Sequence, residues 1–237
     1  TLIKLLTGET VPDSGTVWAH PNLRVAYVAQ HTFHHLEKHL DQTPLAYLQW
    51  RYGSGEDREG LEKAARQASE EEKAAMLRPI PIHENGQGET RVVEELCGRR
   101  KLKNSFEYEV KWRDHHRKHN SWIPRERLEE LGFSKAIAEV DVAEATRQGL
   151  LGPGAKEFTT SVIISHLGDF GLDEEFAAHS AIRGLSGGQK VKVVLAAACW
   201  NCPHVVILDE PTNFLDRESC SSLAAGLDAF GGGVVII

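Results

Sequence analysis

Residues 182–216, IRGLSGGQKVKVVLAAACWNCPHVVILDEPTNFLD, restrict the fold of this chain more than any other stretch. Leu185-Ser186-Gly187-Gly188-Gln189 is followed at once by an apolar, helix-capable run from Val191 to Ala198. That order predicts a helix whose first turn holds Ser186, Gly187 and Gly188. Ser186 is a good N-cap, and the glycines let a bound group come close to the backbone. Free N–H groups and the helix dipole at such a start favour an anion such as a γ-phosphate. Val205 to Leu208 is a four-residue apolar run between Pro203 and Pro211. It predicts a buried parallel strand. Asp209 and Glu210 then stand at its C-terminal end, where open α/β sheets place their ligands. The oxygens of Asp209 suit Mg²⁺, a hard cation. Glu210 suits the polarising of an attacking water in phosphoryl transfer. Either motif alone could be a chance turn or an ordinary core strand. Both in order, a helix length apart, argue for phosphate chemistry on an α/β fold.

LSGGQ followed by VVILDEPTNFLD resembles the nucleotide-binding domain of the ABC ATPases. The resemblance implies a P-loop ABC core with a helical subdomain, and ATP with Mg²⁺ as cofactors. It also implies further site residues. TLIKLLTGE is similar to the helix that follows the family's Walker A loop, so Thr1 matches the Thr just past that loop. The family's phosphate-gripping Lys, Mg²⁺-ligating Ser and switch His do not occur at matching places in the sequence. The core is therefore expected to be truncated at both ends, a piece of a longer chain. Gln30 matches the Q-loop glutamine, which reaches the metal and the attacking water. Asp216, in Asn213-Phe214-Leu215-Asp216, matches the D-loop. Ser186 to Gln189 would complete the ATP site of a second ABC module. Asp209, Glu210 and Gln30 would serve this module's own site.

The bulk numbers set limits on this reading. The chain has 237 residues, 41% of them hydrophobic, enough for one large domain or two smaller ones. No apolar run reaches membrane-spanning length, and no signal pattern opens the sequence. Four unevenly placed cysteines argue for a reducing compartment, and a cytoplasmic location is expected. Cys199-x-x-Cys202 lacks a second ligand pair and reads as structural rather than as zinc or redox chemistry. His31, His35 and His39 could share a helix face, but no carboxylate or Cys joins them at matching spacing, so a polar face with Phe33 and Leu36 turned inward is expected. Net charge is −7, yet Cys97 to Arg127 holds ten Lys/Arg against four Asp/Glu. One part of the chain is thus expected to touch something anionic.

In chain order, a short helix to Gly8, strands at Thr16–Ala19 and Arg24–Ala29, and a helix from Thr43-Pro44 are expected. A solvated helix follows over Glu59–Leu77, then a Pro/Gly-rich linker, Arg78 to Gly88. Phe106-Glu107-Tyr108-Glu109-Val110-Lys111-Trp112 alternates apolar and charged and predicts a half-buried antiparallel strand. Strands at Arg91–Leu96 and Asn120–Pro124 and a helix at Arg125–Leu131 complete a small sheet. Helices are then expected over Ser134–Gln148, Lys156–Phe170, Asp173–His179 and Arg217–Phe230. The expected division is 1–52 core, 53–88 helix and linker, 89–133 β-rich insert, 134–181 helical subdomain, and 182–237 core.

The insert, with YEVKW and HNSWIP, resembles a chromodomain. Methyl-lysine readers of that kind use an aromatic cage. Here Trp112 matches one cage position, and Arg91 and His115 stand at the other two. Arg99, Arg100, Lys101, Lys103, Arg113, Arg117 and Lys118 suit an RNA or phosphate backbone instead, or simply a solvated loop surface. A chromodomain-like insert between Q-loop and signature resembles the elongation factor 3 family of ribosome-associated, ABC-F-type ATPases. That resemblance implies coupling of ATP hydrolysis to release of tRNA from the ribosomal E site. It implies the ribosome with its rRNA, tRNA, elongation factor 1A and a second ABC module as partners, and no membrane. Two alternatives stay open: another ABC-F or transporter nucleotide-binding domain, and a chromodomain-type binding module with a vestigial ATPase.

Overall fold

The computed structural model describes residues 2–7, 14–15, 17–29, 35–61, 74, 77–84, 87–103, 105–152 and 155–237. Thr1, Gln30, His31, Phe33, His34 and nearly all of the helix expected over Glu59–Leu77 lie outside them. The chain divides into two compact units: Thr1–Arg58 with Thr146–Ile237, and Glu59–Ala145.

The first unit is built on a parallel sheet. β1 (Val25–Val28), β7 (Val205–Leu208) and β8 (Gly233–Ile236) lie in the order β1-β7-β8. β7 is central, pairing Val28 with Leu208 on one side and Leu208 with Ile236 on the other. Val206, Ile207 and Leu208 are buried, as a continuous apolar run in a parallel sheet requires. Helix α1 (Leu2–Leu6) opens the unit. Helix α2 (Pro44–Tyr52) starts with Thr43, whose hydroxyl accepts from Ala46 N at 3.2 Å, and with Pro44 at its first position. Thr159 caps α5 (Thr160–Asp169) in the same way, at 3.4 Å from Val162 N. Helix α6 (Gly187–Trp200) buries Val191, Val193, Val194, Leu195, Ala196, Ala197 and Trp200. Apolar on nearly every side, it serves as the core helix. Tyr52 of α2 donates to Ala197 O at 2.8 Å, and His166 of α5 meets Ala196 O through Nε2 at 2.8 Å.

His166 is buried, and burial pushes its imidazole below the ordinary value of 6.5. The Lys156 ammonium, 2.6 Å from Nδ1, also opposes a second positive charge. The folded state therefore binds this proton less readily than the unfolded chain does. Stability from the neutral ring is present above pH 6.5 and is lost as pH falls from there through the folded value. The urea midpoint should drop between pH 7.5 and pH 5, and His166→Gln should flatten the drop. An unchanged pH slope in that variant would remove His166 from the account.

The second unit carries the antiparallel structure. A hairpin pairs β2 (Ile80–Glu84) with β3 (Gln87–Arg91). The segment expected to be a linker is thus largely strand. The signal was present: Glu84 pairs with Gln87, and the two residues between them in the sequence are Asn85-Gly86, a strong hairpin dipeptide. A three-stranded sheet follows, β4 (Val93–Leu102), β5 (Ser105–Trp112) and β6 (Ser121–Pro124), with β5 in the middle. Tyr108, Val110 and Trp112 face a core that also holds Ile80, Val93, Leu128, Phe133 and Ile137. Helix α3 (Arg125–Glu130) supplies Leu128. Helix α4 (Ser134–Leu151) carries residues of both units.

Three further expectations need correction. Residues 17–20 form no strand, and Trp18 is 77% exposed. Strand propensity reflects packing on a half-buried face, and these residues have no such face. The helix expected at Asp173–His179 is a π-helical turn, Glu175–His179. His39, expected on a polar helix face, is instead buried in a 3-10 turn with its ring 4.1 Å from Trp50 and 5.2 Å from Tyr47. Among the described residues no group of three or more His, Cys, Asp or Glu could hold a metal.

Candidate functional site

The site grows from the C-terminal end of β7. Asp209 N donates to Val28 O and Glu210 N donates to Ile237 O, each at 3.0 Å. The two acids are thereby fixed to the strands on either side of β7. Asp209 is half-buried and Glu210 is exposed. Glu210 has φ +50°, a left-handed backbone that turns the chain sharply off the strand. Asn213 then reaches back twice: its N donates to Glu210 O at 3.2 Å and its Nδ2 to Glu210 Oε2 at 2.9 Å. Leu215 N donates to Thr212 O at 3.2 Å, so two turns follow one another. Asp216 ends the loop as N-cap of α7 (Arg217–Asp228), accepting from Ser219 N at 2.7 Å. That backbone hydrogen bond holds the Asp216 carboxyl below its ordinary value.

The glycine turn lies beside this loop. Ser186 caps α6 with a complete capping box: Gln189 N donates to Ser186 Oγ at 3.2 Å, and Ser186 N donates to Gln189 Oε1 at 2.9 Å. The Gln189 side chain is therefore folded back on the helix start. A Cβ at Gly187 would stand 3.3 Å from Phe214 Cβ, and one at Gly188 would stand 2.9 Å from Phe214 O. Ser186 to Gln189 and residues 209–216 thus meet at Phe214. The chain ahead of the glycine turn is tied down too. Ile182 N donates to Gln42 O and Arg183 N to Leu40 O, both at 2.8 Å, and Arg183 pairs with Asp41.

Oxygen donors at the strand end, half-buried and exposed side by side, fit a Mg²⁺–phosphate group, which takes only one or two carboxylates from the protein. Cys199 and Cys202 are not in a disulfide, and burial pushes Cys199 up to about 11, so it is a poor nucleophile.

In the second unit the seven basic candidates separate. Arg99 is not a surface cation. Its Nη1 bonds Asp141 Oδ1 at 2.5 Å, and its side chain is 3% exposed. It pairs directly with Tyr108 across the sheet, and directly paired residues share a face, here the core face. Arg100 points outward, bonded to Glu107 at 2.8 Å and lying 4.3 Å over the Trp122 ring. Lys101 and Lys103 are exposed at the β4–β5 turn, and Arg113, Arg117 and Lys118 are exposed beyond the other end of β5. An aromatic cage is not available. Trp112 is 0% exposed, with its Nε1 donating to Ser121 Oγ, whereas a cage needs an open ring face. Arg91 is bonded to Glu89 at 2.7 Å, and His115 Nδ1 lies 2.8 Å from Arg113 O.

Sequence reasoning passed over Asn213 and Phe214. An Asn three residues after an acid can bond back to it. Nothing in the sequence announces that Phe214 meets the glycines.

Comparison with known proteins adds independent findings. The chain matches the ABC transporter family over residues 1–213. Elongation factor 3 of Gonapodya prolifera is 57% identical over 237 residues, all of this chain and 21% of that protein. Elongation factor 3 of Phytophthora infestans is 53% identical, over all of this chain and 22% of that protein. The mRNA export factor elf1 of Schizosaccharomyces pombe is 51% identical, again over 100% of this chain and 22% of its own. The chain therefore spans about a fifth of the length of these curated relatives. Among solved structures, the dimeric bacterial ABC transporter cassette MJ0796 matches 41% of this chain and 44% of its own, at 26% identity and a TM-score of 0.32.

Proposed function

The chain belongs to the ABC transporter family, and from that premise we propose that it is an ATP-binding and ATP-hydrolysing module of a translation factor resembling elongation factor 3. The observation that carries the reading is the meeting, at Phe214, of the capped glycine turn with the loop bearing Asp209 and Glu210. Similarity over the whole of this chain, about a fifth of each relative, to proteins named elongation factor 3 supports that cellular setting.

In this reading Asp209 holds Mg²⁺ through a carboxylate oxygen, and Glu210 orients the water that attacks the γ-phosphate. Bound Mg²⁺ supplies neutralisation of the developing phosphate charge. Asn213 holds the Glu210 carboxylate in place through its Nδ2 hydrogen bond to Oε2. Gln30 and Thr1 retain the roles that the family resemblance implies. Ser186, Gly187, Gly188 and Gln189 present the start of α6 to phosphates held by a second ABC module, beside Asp216. Turnover releases tRNA from the ribosomal E site and assists delivery by elongation factor 1A in the cytoplasm. The insert, read as chromodomain-like, offers Arg100, Lys101, Lys103, Arg113, Arg117 and Lys118 to rRNA. Among the described residues no helix is long and apolar enough to cross a membrane.

A second reading rests on the relative named as an mRNA export factor. In it the same ATPase acts on messenger ribonucleoprotein. The discriminating measurement is MgATP turnover by the purified full-length protein with ribosomes or with polyadenylated RNA. Stimulation by ribosomes, lost when residues 59–145 are replaced by a short linker, is the expected result. Stimulation by RNA alone would favour the second reading, and no turnover under any condition would reject both.

A further inference from the structure

We propose that Phe214 is a positioning residue that locks the acid-bearing loop 209–216 onto the first turn of α6, so that Ser186 to Gln189 and the Asp209–Glu210 pair shift as one body. The inference deepens the ATPase reading and rests on it for its consequence. Its geometry stands alone.

Phe214 has φ +68°. A left-handed backbone at an aromatic residue persists only when its surroundings overdetermine it. Ring burial is not what holds it, because Phe214 is 63% exposed. The surroundings that fit it are the two glycines. Its Cβ and ring lie against Gly187, where an added Cβ would meet Cβ, Cδ1 and Cγ at 3.3, 3.4 and 3.5 Å. Its carbonyl oxygen lies against Gly188, where an added Cβ would come to 2.9 Å, closer than real side chains allow. The glycine pair thus meets a requirement apart from phosphate binding: it admits residue 214.

The loop on which Phe214 sits is stiff at both ends. Upstream, Glu210 N is bonded to Ile237 O, and the turn from Glu210 to Asn213 is closed by main chain and side chain. Downstream, Leu215 packs against the main core and Asp216 caps α7. A bracket held at both ends and seated at its middle transmits displacement rather than absorbing it. When an anion engages the start of α6, the shift of that turn reaches Glu210 through four residues. In the proposed ATPase reading the two acids and the glycine turn belong to different ATP sites. Phe214 makes the occupancy of one register at the water-orienting group of the other.

A double-mutant cycle tests this. Gly187→Ala should lower kcat for MgATP in the full-length protein. In a Phe214→Gly background, which removes the side chain that the new methyl meets, Gly187→Ala should cost almost nothing further. The departure from additivity should be roughly 2- to 100-fold, the range for residues in contact. Gly188→Ala meets a main-chain oxygen that every residue carries, so its loss should persist in that background. Phe214→Asn, which tolerates the left-handed backbone, should lose less turnover than Phe214→Val. Losses for Gly187→Ala and Phe214→Gly that simply multiply would overturn the proposal, as would a fully active Gly187→Ala. If the wild-type protein turns over no MgATP, the functional reading fails. The same cycle, read as urea midpoints of this 237-residue chain, then still decides whether Phe214 and Gly187 are interlocked.

Discussion

Glu210→Gln lowers MgATP turnover by roughly 10²- to 10⁴-fold, the loss expected when a positioned general base is removed, and leaves nucleotide affinity in place. The substitution is nearly isosteric. A Gln at this position keeps an oxygen that can accept from Asn213 Nδ2, the bond that fixes the side chain at 2.9 Å. The main-chain anchor from residue 210 to Ile237 O is untouched. The loop should therefore hold its shape, and only the capacity to draw a proton from water is lost. Steady-state phosphate release measures the first quantity, and titration with a fluorescent ATP analogue measures the second. Turnover within a factor of about three of wild type would mean that another group orients the water. Loss of binding together with turnover would mean that the residue is structural.

What sequence alone can foresee of such a site follows the range of the interactions involved. Ser186 as a cap, the apolar run that becomes α6 and the four residues of β7 are local signals, and each is visible within a window of a dozen residues. The alternation in β5 is equally local. Arg99 shows where this stops. In a basic run between Gly98 and Lys103 it looks like its neighbours, and the face it occupies is decided by its pairing with Tyr108 and by an acid at position 141. The strand also has register irregularities between Val93 and Glu95 and between Leu96 and Gly98, which no simple alternation foresees. Phe214 fails to announce itself for the same reason. Its partners, Gly187 and Gly188, lie on another element, and the glycines already have a plausible reason to exist.

Asp141→Ala should strongly destabilise the second unit. The Asp141 carboxylate is the hub of a buried network. Oδ1 accepts from Arg99 Nη1 at 2.5 Å and from Tyr108 OH at 2.8 Å, and Oδ2 accepts from Arg125 Nη1 at 2.9 Å. Arg99 also lies 4.8 Å from the centre of the Phe106 ring. Burial, with the nearby carboxylate, pushes the Tyr108 phenol well above its ordinary value. Removing the acid takes from the Arg99 guanidinium, 3% exposed, the carboxylate bonded to it, and strips a buried hydroxyl of its acceptor. Breaking a buried ion pair from one side costs about 3–5 kcal/mol, whereas replacing the whole pair by apolar groups can be close to neutral. A loss of that size is comparable to the total stability of a small domain, about 5–15 kcal/mol. Amide exchange along Tyr108 to Trp112, the central strand of that unit, should accelerate to the rate of global opening in Asp141→Ala. The double variant Asp141→Leu with Arg99→Met should recover much of the protection, because it removes both charges together. If exchange in Asp141→Ala stays at the wild-type rate, the network is an ornament on a core that Trp112, Val110 and Leu128 already hold. If the double variant exchanges as fast as the single one, the loss comes from packing rather than from a stranded charge.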